Sequence, residues 1–161
     1  MNDEDKIIKS IEAALVCAAQ DGLDAEELGQ VKGAIGTLPI VAPALQEIMV
    51  ENEVGSEDID LSGESTIEAI SKFVENLGDN LDKYSLTELD DSYAEEVAEA
   101  IGNSGTLQNL CMGMAMAFCA GDGEISDLES NSISTLLSKM DLVMPELAAD
   151  IAKRIINATV E

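Results

Sequence analysis

Two Asp-Gly pairs, each following an apolar run and preceding a cluster of acids, hold the residues of this chain best suited to chemistry. In CAAQDGLDAEELGQ (Cys17 to Gln30) the acids are Asp21, Asp24, Glu26 and Glu27; in FCAGDGEISDLES (Phe118 to Ser130) they are Asp122, Glu124, Asp127 and Glu129. Carboxylates gathered on a tight turn suit a hard cation that takes oxygen ligands. Capping is the simpler reading. Asp-Gly ends one helix, Asp24 and Ser126 cap the next, and Glu27 and Glu129 at N3 complete capping boxes. That reading leaves Asp21 and Asp122 unexplained, because an acid at the negative end of a helix dipole is unfavourable unless a cation offsets it.

The second turn also fits the back half of an EF-hand loop. Asp122 falls at loop position 5, Gly123 at 6, Ile125 at 8 and Glu129 at 12, but positions 1 and 3 are Phe118 and Ala120. In the first copy the step from Asp21 to Glu27 is one residue shorter, so position 12 is Leu28. Two carboxylates that would ligate the ion are missing, and a true EF-hand is set aside.

The elements that carry these turns repeat. Ile11, Ala14, Leu15 and Ala18 correspond to Met112, Ala115, Met116 and Cys119, and Val31, Ile35 and Leu38 to Ile133, Leu137 and Met140. The plan is a duplicated helical hairpin. Helical spacing predicts helices from about Asp5 to Gln20, Asp24 to Thr37 with Pro39 ending it, and Pro43 to Asn52. A polar loop over 54–63 separates a first half (about 1–53) from a second (about 64–161). Beyond it, Ser65 and Glu68 form a capping-box pair ahead of Ile67, Ile70, Val74, Leu77 and Leu81, and a further helix spans roughly Leu86 to Ile101. Leu107, Leu110, Cys111, Met114, Ala115 and Phe118 make the strongest stripe and mark a central helix. Helices from Ser126 to Met140 and from Pro145 to about Ala158 complete a single all-α domain, 1–161, of seven to eight helices.

Composition agrees with that class. Hydrophobic residues make up 46% of 161, with two Phe, two Tyr and no Trp, so the core is built from Ala, Leu, Ile, Val and seven Met. The net charge of −25 excludes nucleic acid and anionic lipid as simple partners and favours cations or basic surfaces. The three cysteines, Cys17, Cys111 and Cys119, have no CxxC spacing and no His beside them, and read as buried apolar groups in a reducing compartment. The acidic N-terminus is no signal peptide, and no run reaches the length needed to cross a bilayer. A cytoplasmic soluble protein is expected.

The paired motifs CAAQDGLDAEE and FCAGDGEISDLE resemble those of the TerB family of tellurite-resistance proteins, including the related domain of membrane-anchored DnaJ-like co-chaperones. The likeness covers most of the chain. It implies two related helical halves and a non-enzymatic role, as adaptor or sensor, in the response to tellurite and other chemical stress. Its implied partners are other tellurite-resistance proteins at the inner membrane, some of them integral. The family's acidic positions match Asp21, Glu26, Glu27, Asp122, Asp127 and Glu129 here, as ligands for a divalent cation (Ca, Mg, Mn or Zn). The chain departs from the family in its shortage of Lys and Arg.

Other classes fare less well. An enzyme lacks support, with no His, no GxSxG and no P-loop. The run CMGMAMAF (Cys111 to Phe118) suggests soft-metal chemistry, but alternate Met residues project on different helix faces, so core packing is favoured. An acidic module that docks a basic protein without any ion is the competing reading, and mimicry of nucleic acid is a third.

Overall fold

Charge is absent from Gly105–Cys119, and every residue of it except Met116 is buried. A helix apolar on all sides must be covered on all sides, and the rest of the chain is arranged to do so. The computed structural model describes residues 3–20, 25–52, 63–102, 104–120 and 126–160. Among these are seven helices: α1 Asp3–Ala19, α2 Ala25–Glu51, α3 Glu64–Leu86, α4 Asp91–Ile101, α5 Gly105–Cys119, α6 Asp127–Leu137 and α7 Pro145–Val160. They stack in three layers. The middle layer is α1 beside α5; α3, α2 and α7 cover one face, and α4 with α6 covers the other. The core is aliphatic, with Ile11, Leu15, Ile35, Met49, Leu77, Leu107 and Met114 all fully enclosed.

Several boundaries differ from those the sequence suggests. Pro39 and Pro43 do not divide the second and third helices; both lie inside the 27-residue α2. Val31, Ile35, Leu38, Ala42, Leu45 and Met49 are buried at alternating steps of four and three residues, one unbroken stripe that runs past both prolines. Burying that stripe outweighs the backbone hydrogen bonds that proline removes. By length and composition α2, over Glu26–Glu51, is also apolar enough to cross a membrane, its most apolar 18 residues having a mean hydropathy of 1.4. That corrects the reading that no run does so. Here its stripe is enclosed by α7, α3 and α5.

Ser65 does not open α3. Gly63 occupies the N-cap without a side-chain bond, and Ser65 lies one residue inside the helix. Nor does a helix begin at Leu86, which is the last residue of α3; α4 starts after Asp90, whose carboxylate accepts from the Tyr93 N–H at 2.9 Å. The polar loop itself lies outside the described residues over 53–62.

Candidate functional site

The described flanks of the two Asp-Gly pairs stand at one end of the bundle. The Cys111 thiol donates to the Ser10 carbonyl at 3.5 Å, so α1 and α5 touch there. Cys17 in turn lies within electrostatic reach of Cys119 and of Glu129. Antiparallel helices meeting at Ser10 and Cys111 would separate Cys17 from Cys119 by roughly 22 Å along the axis, given 1.5 Å per residue. The helices therefore run in the same direction. Gln20 and Ala120, which follow them, therefore lie toward the same end of the bundle, and the first turn of α6 meets the last turn of α1.

Glu129 is the acid whose role is clearest. Its Oε1 accepts the Ser126 N–H at 3.0 Å while its own N–H donates to Ser126 Oγ at 3.1 Å, a complete capping box. The box turns Glu129 inward, to 5% exposure, and fixes the register of α6. Ser132, Leu136 and Met140 follow on the same face, so Leu136 is buried where the repeat pointed to Leu137, which is 38% exposed. Asp127 and Glu26 face solvent, and Glu27 is half-buried with a partner of its own. Among the described residues, no three Cys, Asp or Glu side chains lie close enough together to hold a metal ion. Asp21 and Asp122, together with Asp24, Leu23 and Glu124, lie outside the described residues. Of the six candidate ligands, four can thus be placed, and these four do not by themselves form a cation site.

The sulfur chemistry is closed off. Cys17, Cys111 and Cys119 are free and buried. Burial pushes the Cys111 thiol up to about 12. Cys17 is raised well above the ordinary thiol value by burial first and then by Cys119, Cys111 and Glu129. Neutral thiols are poor nucleophiles and poor soft-metal ligands. Met112 and Met114 are buried in the core and Met116 packs at its edge.

Sequence reasoning missed the amide clamps beside this end and at the other. Gln20 donates from Nε2 to the carbonyls of Val16 (3.0 Å) and Thr87 (2.8 Å), and its Oε1 accepts from the Leu89 N–H at 3.2 Å. One side chain thereby ties the α3–α4 linker to the end of α1. Asn109 does the same for the α6–α7 linker, donating to Gly105 and Leu142 carbonyls and accepting from Met144 N–H at 2.8 Å. Gln108 adds an acceptor for the Leu142 N–H at 2.9 Å. The available signal was a Gln-Asn pair inside an otherwise apolar helix.

An all-helical, three-layer bundle with a parallel central pair is the class that fold and site define. No protein-family model, curated protein or solved structure matches the chain.

Proposed function

We propose that the protein is a non-enzymatic, TerB-like adaptor or sensor of tellurite and chemical stress, built from two copies of one helical hairpin. The observation that supports it is the pairing of α1 with α5. Ser10 and Cys111 touch at a sequence separation of 101, the same offset that aligns Ile11 with Met112 and Ala18 with Cys119. Repeat-related residues meeting on parallel helices are what a pseudo-two-fold axis between duplicated halves requires. In this reading one acidic turn supplies Asp21, Glu26 and Glu27 as ligands and the other supplies Asp122, Asp127 and Glu129. A divalent cation bound at one or both turns offsets their mutual repulsion and couples ion or stress level to the binding of a partner. The partners in this reading are other tellurite-resistance proteins, reached from the cytoplasm and held at the inner membrane by an integral component. Deleting the gene in its host and complementing it tests this. The native chain should restore growth on tellurite and the Asp122→Asn/Glu129→Gln chain should not; restoration by both would refute the role of the turns.

One observation favours an ion-free reading. Glu129 Oε1 already accepts the Ser126 N–H, so capping accounts for that acid without a metal. On that reading the protein is an acidic module docking a basic protein. Its binding to that partner falls with salt and ignores chelators, which separates the two.

A further inference from the structure

The face of α3 toward α1 differs from the rest of this acidic chain. Two of its four Phe and Tyr residues, Phe73 and Tyr84, stand there with two of its eight bases, Lys72 and Lys83. Phe73 and Tyr84 are eleven residues apart, roughly 16 Å along a straight helix. Their ring centroids nevertheless lie 6.3 Å apart, with planes inclined at 41°. No straight axis allows that approach, so α3 bends between them. The bend closes α3 around the edge of α1 and leaves a notch of about 390 Å³, open on one side, with Ile8 and Glu12 on the α1 wall. That volume lies within the range of small-molecule sites.

The walls have a definite chemistry. Tyr84 is buried and hydrogen-bonded through its side chain to Glu12, and Lys83 Nζ stands 3.5 Å from Glu12 and 5.7 Å from the centre of the Tyr84 ring. Glu12 is thus engaged on two sides. Lys72 is exposed and has no ion-pair partner among the described residues. Charges more than about 8 Å away are screened at physiological salt, so a molecule in the notch responds to the groups that line it. Those groups are one engaged carboxylate, two ammonium groups, the Asn76 amide and two rings. Exposed Glu68 and Glu75 flank Lys72 on the solvent side, and they penalise any anion whose charge is not seated inside against the ammonium.

We infer that this α1–α3 notch binds a small aromatic carboxylate, its ring against Phe73 and Ile8 and its charge on Lys72. The Asp-Gly turns play no part in this binding. The amide resonances of the isotope-labelled protein, followed at fixed ionic strength, test it. 2-Naphthoate should give saturable shifts confined to 8–12 and 69–84, and the uncharged 2-naphthylmethanol should bind at least about fivefold more weakly. Lys72→Gln should weaken naphthoate several-fold and Lys72→Glu about tenfold or more, the loss of roughly one close charge contact. Lys72 is exposed, so neither change disturbs the fold. The inference is overturned if the alcohol binds as well as the carboxylate, if the shifts scatter over the surface, if no saturable shift appears up to the solubility of the probe, or if Lys72→Glu leaves affinity unchanged.

Discussion

Three glycines inside helices should answer the same substitution with opposite signs. Alanine in place of an interior helical glycine ordinarily gains about 1 kcal/mol, because glycine loses more backbone freedom on folding. At Gly29 and Gly36 of α2 a Cβ meets nothing within 4 Å. At Gly113 of α5 it runs into Ile151 of α7, closest to Cγ2, with Ile151 Cβ at 2.7 Å and the Ala148 carbonyl at 3.2 Å. Ile151 Cβ and the Ala148 carbonyl are fixed to the α7 backbone, so side-chain rotation does not relieve them and α7 itself must move away from α5. Overpacking of this kind costs about 1–3 kcal/mol, which matches or exceeds the propensity gain. Gly113→Ala should therefore lose a net of about 0–2 kcal/mol, up to roughly 8 °C in Tm for a chain of this size, while Gly29→Ala and Gly36→Ala each rise by roughly 2–4 °C. Urea unfolding followed by far-ultraviolet circular dichroism supplies the free energies. Ile151→Ala removes Cγ2, so the double variant with Gly113→Ala should lose at least about 1 kcal/mol less than the two single losses combined. A Gly113→Ala protein as stable as its two controls would refute the packing of α5 on α7.

The other predictions concern polar groups. Asn109 is fully buried, so Asn109→Ala strands the Leu142 carbonyl and the Met144 N–H and should cost about 2–6 kcal/mol in urea unfolding, at 1–3 kcal/mol for each unsatisfied group. Ser126→Ala should cost about 1 kcal/mol through the lost cap, whereas Glu129→Gln, which keeps the box, should change stability little in the same measurement. Tyr84 and Tyr93 are both raised above the ordinary phenol value, by burial first and then by Glu12. A raised folded value means the stabilisation is complete below the unfolded value near 10 and is lost as pH climbs through and above it. Phenolate absorbance should hence appear only with alkaline unfolding, and a phenolate signal from folded protein near pH 10 would contradict the burial. A thiol reagent at neutral pH should label none of the three cysteines in the native protein and all three after denaturation.

What could be read from the residues was local. The stripe from Leu107 to Phe118 announced α5, and Ser126 with Glu129 announced the start of α6, because periodicity and caps are encoded within a few positions. Pro39 misled because its penalty is local while the stripe from Val31 to Met49 that overrides it is satisfied by three other helices. The α3–α4 boundary was invisible for a similar reason: Gln20, 67 residues before Thr87, holds that linker in place. The parallel course of α1 and α5 is a tertiary fact that no spacing within either helix contains. The notch on α3 had a faint signal, two of the few aromatic residues each beside a lysine, but the bend that closes it depends on packing against α1.

The most direct test of the proposed function is the melting temperature after exhaustive chelation, then with calcium, magnesium, manganese or zinc restored at constant ionic strength. Monovalent salt controls are essential at a net charge of −25. One of these ions should raise Tm beyond the salt controls, by an amount that grows with its concentration, and Asp122→Asn/Glu129→Gln should abolish the rise. Equal melting with every ion, or an ion-specific rise that survives both substitutions, would contradict the proposed function.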